Sequence, residues 1–182
     1  MVPELNPSHQ ETLRHLQHIT KRWSELQEPC NLELVFLSSD DKAIVKDVRR
    51  YPANPQGLAD AAEHAAAMTQ HQLNAYAVVN PVRASAQLAP GRRASSADIV
   101  ASFFHWADAD DAQAAENIRS FVGPKCTFYV LTGTTPSHRP HVYWELEEPT
   151  YNLEAWSRTQ SAIAATLHTD PAVVDAPRIM RL

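Results

Sequence analysis

From Ser8 to Leu26 the apolar residues Leu13, Leu16, Ile19, Trp23 and Leu26 recur at steps of three or four, which predicts an amphipathic helix with Ser8 as N-cap and Glu11 three positions on. The run Leu32 to Leu37 is apolar and rich in strand formers, so it predicts a buried strand; a charged stretch, Asp40 to Arg50, follows without a clear period. Tyr51 to Gly57 is turn chemistry. The alanine-rich segment after it predicts a helix from Leu58 to about Gln72, because alanine loses no side-chain entropy on becoming helical. Tyr76 to Val79 reads as a strand stopped by Asn80 and Pro81, and Val82 to Ser96 as a long loop without apolar periodicity.

The second half alternates more tightly. The pattern predicts a short helix at Ala97 to Ala101, a strand at Phe103 to Ala107, a helix at Ala112 to Phe121, strands at Thr127 to Leu131 and His141 to Leu146, a helix at Leu153 to Leu167 and a last strand around Ile179. Adjacent strands joined through Thr132 to Pro140 make a hairpin, so the sheet is not all parallel. The fold class is α+β, with helices covering one sheet face and leaving the other available.

With 182 residues, 44% of them hydrophobic, the chain suits one sizeable core or two small ones. Its net charge of -5 excludes a protein that coats nucleic acid through bulk positive charge, although a local basic groove remains compatible with it. Cys30 and Cys126 lie far apart and in no CxxC spacing, which argues against a disulfide framework or a cysteine zinc site and for a reducing cytoplasm. No apolar run reaches the roughly 18 to 20 residues of a bilayer span, and the N-terminus has no secretory pattern; no membrane partner is expected.

Three segments carry candidate chemistry. Asp108 and Asp110 end the run FFHWADAD; at strand period both carboxylates point to one face, and two acids in so small a volume suit a divalent cation held by hard oxygen ligands. The hairpin TGTTPSHRPHVYW offers Thr132, Gly133, Arg139 and His141, residue types that hold phosphates through backbone N–H groups and charge-assisted donors. His138 and His141 form no zinc pair of the helical kind, having no glutamate between them and no helix to align them. The terminal TDPAVVDAPRIMRL supplies Asp170, Asp175, Arg178 and Arg181, and two guanidiniums converging on a triphosphate would give the arginines a purpose. Each segment has a plainer reading alone: a strand end with an acidic helix cap, a polar hairpin, a solvated terminus. Together they place an acid pair, a phosphate-type hairpin and an acid with two arginines in one order on one sheet.

That ordered set resembles the archaeo-eukaryotic primase (AEP) superfamily, in particular its primase-polymerase and plasmid RepB-like branch. The family's DxD corresponds to Asp108 and Asp110, its Gly-containing turn leading to a histidine to Gly133 through His141 with Trp144 after it, and its acid followed by RxxR to Asp170, Arg178 and Arg181; a strand ending in Asn-Pro corresponds to Asn80 and Pro81. The resemblance covers the chain from about Tyr76 onward. It implies an RRM-like mixed or antiparallel catalytic sheet with flanking helices (about residues 76–182) and a small N-terminal α/β module (about 1–75), the whole being one catalytic core cut from a longer protein.

The implied activity is DNA primase-polymerase nucleotidyl transfer on a single-stranded DNA template, with ribo- or deoxyribonucleoside triphosphates as substrates, in the replication of a plasmid, phage or other mobile element. By the same resemblance Asp108, Asp110 and Asp170 bind two Mg²⁺ or Mn²⁺ ions. His141, Arg178 and Arg181, with Arg139, Thr132 and Gly133, hold the nucleotide. Asn80, Arg83, Arg92 and Arg93 are candidates for the DNA backbone, as are Lys42, Lys46, Arg49 and Arg50, while Tyr51 and Tyr76 are candidates for base stacking. The resemblance also implies a helicase or a C-terminal helical domain as partner. The alternatives are a non-catalytic nucleic-acid-binding module of the same fold and a metal-dependent nuclease using the same acids.

Overall fold

The computed structural model describes residues 9–41 and 44–182; Ser8 and Lys42, named above as a cap and a candidate DNA contact, lie outside them. The chain is α+β, with two antiparallel sheets and, among the described residues, four α-helices. It divides into two compact units, one running up to Val100 and taking in Pro177–Leu182, the other formed by Ala101–Ala176.

In the first unit, helix α1 (His9–Thr20) buries Leu16 and Ile19, and a short 3-10 turn, Trp23–Glu25, carries Trp23 inward. Strand β1 (Cys30–Ser38) is buried nearly throughout because it is internal to its sheet, between β2 (Val45–Pro52) on one side and β3 (Leu73–Val78) with the two-residue β4 (Val82–Arg83) on the other. Helix α2 (Pro55–Gln70) begins with Asn54 as N-cap, whose side chain accepts from the Gly57 N–H at 2.8 Å, and has proline in its first turn. Gly57 lies so close to the Pro52 carbonyl that a Cβ there would collide with backbone. Residue 75, where the N-terminal module was expected to end, falls within β3 of this unit.

Strand β2 occupies the charged stretch to which the sequence assigned no element. It is an edge strand that buries only Val48, so the alternation that marks a half-buried strand is missing from VKDVRRYP, and charged side chains occupy the rim instead. One of its charges reaches inward. Arg50 donates to Glu33 at 2.8 Å, and Glu33, fully buried in β1, also accepts from the Ala94 N–H at 3.0 and 3.1 Å, which ties the 84–95 loop to the sheet.

In the second unit, β5 (Ser102–Asp108), β7 (Arg139–Thr150) and β6 (Phe128–Gly133) form a sheet in the order β5-β7-β6. Helices α3 (Ala112–Ser120) and α4 (Leu153–Leu167) cover one face, where Ala107, Val142 and Leu167 form a core with Ile118, Trp144 and Ile163. The opposite face carries Phe104, Phe128 and Tyr143 in stacked and edge-on contact, with Asp108 and His141 at its end. The last strand, β8 (Ile179–Arg181), pairs with β3 and so belongs to the first unit's sheet. The three sequence motifs therefore do not share one sheet, contrary to the expectation from their order: pairing of Tyr76, Ala77 and Val78 with Arg181, Met180 and Ile179 draws the terminal strand to β3. No helix among the described residues is long and apolar enough to cross a membrane.

The Glu33–Arg50 pair yields a stability prediction. Arg50→Met removes the charged partner of a buried carboxylate and leaves it, among the described residues, with the Ala94 N–H, and should lower the unfolding free energy by on the order of 3 kcal/mol in urea titration.

Candidate metal and nucleotide site

Cross-strand register sets the first part of the site. Asp108, the last residue of β5, stands opposite His141 in β7, and His141 Nε2 lies 3.1 Å from Asp108 Oδ1, with both side chains largely buried. The alignment is not that of a hydrogen bond. Buried Asp108 Oδ1 and His141 Nδ1 have no hydrogen-bond partner among the described residues, an arrangement a native fold tolerates where another group completes the site.

The outer edge of β5 brings in the third acid. In the order β5-β7-β6 this strand has one side without a strand neighbour, and its backbone groups there still need partners. Trp156 Nε1 donates to the Phe104 carbonyl at 2.9 Å; the Gln160 carboxamide accepts from Trp106 N–H at 3.2 Å and donates to the Trp106 carbonyl at 2.6 Å; and Asp170 N–H donates to the Asp108 carbonyl at 3.2 Å. Alternate residues of the edge are thus satisfied by α4 and the turn after it. The turn is opened by His168, in the left-handed region at φ 52°, and Asp170 Oδ1 then accepts from Ala172 N–H at 2.8 Å.

Asp108, Asp110 and Asp170 each offer a carboxylate oxygen within 4.8 Å of the others. Asp110 is exposed and the other two are half-buried. The next acid, Asp111, serves the helix instead, capping α3 by accepting from Ala114 N–H at 2.8 Å. The DADD segment is thus both a helix cap and part of an acid cluster. An all-oxygen donor set with an orphaned buried oxygen among its members suits a hard divalent cation.

Further along β7, Arg139 shares the face of His141 by strand period, and it pairs with Gly133 across the hairpin. Its guanidinium occupies the space in which a Gly133 Cβ would sit, and Thr132 Oγ1 donates to the Arg139 carbonyl at 2.9 Å. A cavity of about 980 Å³ opens elsewhere, between α3 and β6, lined by residues that include Phe121, Tyr129 and Leu131 and by none of the three acids.

The other sequence candidates lie in the first unit. Arg181 donates to Asn74 Oδ1 at 2.7 Å, and Arg178 is half-buried just before β8. Arg83 pairs with Glu28 at 2.6 Å, Arg93 donates to the Pro177 carbonyl at 2.9 Å, Arg92 is exposed and Asn80 is buried between β3 and β4. Lys46 is exposed, Arg49 pairs with Asp47 at 2.8 Å, and Arg50 is held by Glu33. Tyr76 packs on Val35, Leu37 and Val48, while Tyr51 meets His64 Nδ1 through its hydroxyl, whose pKa burial pushes up to about 12. Trp156 and Gln160 were missed from sequence, since helix periodicity gives a buried position but not the strand edge it serves.

No protein-family model matches the chain, and no curated protein matches it in sequence. Solved structures do match it in fold. The AEP domain of the cyanophage S-2L primase-polymerase (PrimPol) aligns with a TM-score of 0.62 at 16% identity, over 95% of this chain and 80% of that one. The chain has an AEP-type primase fold. Primase RepB′ also aligns, with a TM-score of 0.52 at 15% identity, over 92% of this chain and 49% of that one, so the chain spans about half of that protein's length. At these identities the AEP fold is what is shared, and the site has to be argued from its own residues.

A titration prediction concerns His105, stacked on Trp156 and 3.0 Å from Gln160 Oε1. Burial lowers its pKa below the ordinary 6.5, against the opposing effect of the Gln160 bond. Because the folded pKa is depressed, the contribution to stability is complete above pH about 6.5 and is lost as the pH falls through the folded value. Urea titration at pH 7.5 and 5.5 should show lower stability at 5.5, and His105→Phe should narrow the difference.

Proposed function

We propose that the chain is the catalytic core of a DNA primase-polymerase, transferring nucleotides from nucleoside triphosphates along a single-stranded DNA template in the replication of a plasmid, phage or other mobile element. The observation that carries this reading is the cluster of Asp108, Asp110 and Asp170 beside His141, on a fold shared with a primase-polymerase domain and a primase.

Asp108, Asp110 and Asp170 are the residues that would hold the divalent ions. Bound there, such ions would lower the pKa of a primer 3′-hydroxyl and neutralise charge on the transferred phosphate. The protein's own work is then positional: β5 and the turn after α4 fix the carboxylates, and His141 and Arg139 present nitrogen donors on the same sheet face for phosphate oxygens. Gly133 leaves room for the Arg139 guanidinium, and Thr132 holds the backbone of Arg139. Arg178 and Arg181 are assigned to the triphosphate, as the resemblance implies; Arg181 would exchange its bond to Asn74 for that role. Asn80, Arg83, Arg92 and Arg93 remain proposals for the template.

Primer extension and de novo priming on single-stranded DNA, with Mg²⁺ or Mn²⁺, test the reading. Asp108→Ala and Asp110→Ala should each lower incorporation at least about 100-fold, corresponding to the several kcal/mol that metal-assisted charge stabilisation supplies. Arg178→Ala should raise the KM for the triphosphate. A folded wild type that incorporates nothing under either metal points to a non-catalytic binding module, and DNA degradation without triphosphates points to a nuclease.

A further inference from the structure

Gln160 is fully buried in the middle of α4, yet it lies in none of the sequence motifs. A polar side chain with no access to water is costly unless its donors and acceptor are all used. Gln160 uses them on two segments. Its Oε1 accepts from Trp106 N–H at 3.2 Å while its Nε2 donates to the Trp106 carbonyl at 2.6 Å, so the carboxamide replaces a neighbouring strand for one residue of β5. Nε2 also lies 3.3 Å from the Val173 carbonyl, which accepts from Trp106 Nε1 at 2.9 Å.

Trp106 precedes Asp108 by two residues on the same strand, and Val173 closes the turn that Asp170 opens, its N–H meeting the Asp170 carbonyl at 3.5 Å. One side chain therefore joins the strand that ends in Asp108 to the turn that begins with Asp170. The two carboxylates repel each other, so their approach has to be fixed by their supports. A neutral amide suits this role, because it supplies an acceptor and two donors in one plane without adding charge.

We infer that Gln160 is a positioning residue for the acid cluster, setting the spacing of Asp108 and Asp170 and so the affinity for the divalent ion. This rests on the reading of that cluster as a metal site. Groups that orient metal ligands without touching the metal are typically worth 10- to 100-fold in affinity.

The experiment is Mn²⁺ titration of the full chain, followed by the EPR signal of the free ion, with Tm measured alongside. Gln160→Met conserves volume and removes every hydrogen bond of the amide; Gln160→Glu keeps the shape and the acceptor for Trp106 N–H and serves if the methionine variant does not fold. The control is Asn152→Ala, which removes the N-cap bond of α4 to the Ala155 N–H, two turns before Gln160.

Both Gln160 variants should bind Mn²⁺ about 10- to 100-fold more weakly, and Asn152→Ala should bind as wild type despite a lower Tm. The inference is overturned if the Gln160 variants keep wild-type affinity, or if Asn152→Ala loses as much affinity for the same fall in Tm. Wild type that binds no Mn²⁺, or binds it equally well as Asp108→Ala, overturns the metal reading itself and this inference with it.

Discussion

A strand at the end of a sheet leaves one row of backbone groups to be satisfied by something other than a strand, and the candidate site grows out of how β5 meets that requirement. The Phe104 carbonyl takes Trp156, both backbone groups of Trp106 take Gln160, and the Asp108 carbonyl takes the Asp170 N–H. Two of these partners come from α4 and the third from the turn directly after it. Completing the edge therefore brings a residue far away in sequence next to the acid at the strand's end. Three acids converge there because the backbone is satisfied there, and the resulting repulsion favours a cation among them.

The other side of β5 supplies the complementary half. Antiparallel register with β7 sets His141 against Asp108 and continues through Ala109 N–H to the Pro140 carbonyl at 3.1 Å, so the hairpin approaches the acids along a continuous ladder. Arg139 stands two residues before His141 on β7, over a glycine that leaves space for it. Acidic and basic groups thus occupy one sheet face without cancelling: among the described residues His141 alone lies within ion-pair distance of Asp108, and the buried Arg139 Nε has no hydrogen-bond partner. A polyanion carrying its own cations matches such a face better than a purely acidic or purely basic ligand would.

Much of this was legible in the sequence. Strong periodicity gave α1, α2 and α4, with α1 ending at Thr20 rather than Leu26, and the apolar runs gave β1, β5 and the β6–β7 hairpin, with β7 running on to Thr150. Asp108 and Asp110 stood out because strand period groups residues two apart, and His141 because it follows the hairpin turn; that β5 pairs with β7 and sets Asp108 opposite His141 is a tertiary fact. What stayed hidden depends on tertiary pairing. Edge strand β2 buries one residue and shows no alternation; β8 is three residues long, and nothing in IMR says that its partner is β3. Asp170 stood out only as one acid of the terminal segment, and its place beside Asp108 came from the resemblance, since that approach depends on an edge hydrogen bond and a left-handed turn at a histidine, which has no strong sequence signature. Gln160 was invisible for the same reason.

The most direct test of the metal assignment is anomalous scattering from crystals of the protein soaked with Mn²⁺ and a nucleoside triphosphate. The account predicts an anomalous peak among the carboxylates of Asp108, Asp110 and Asp170, with phosphate density on the His141 side. Crystals that bind the triphosphate with manganese elsewhere, or with no manganese at these acids, would contradict it.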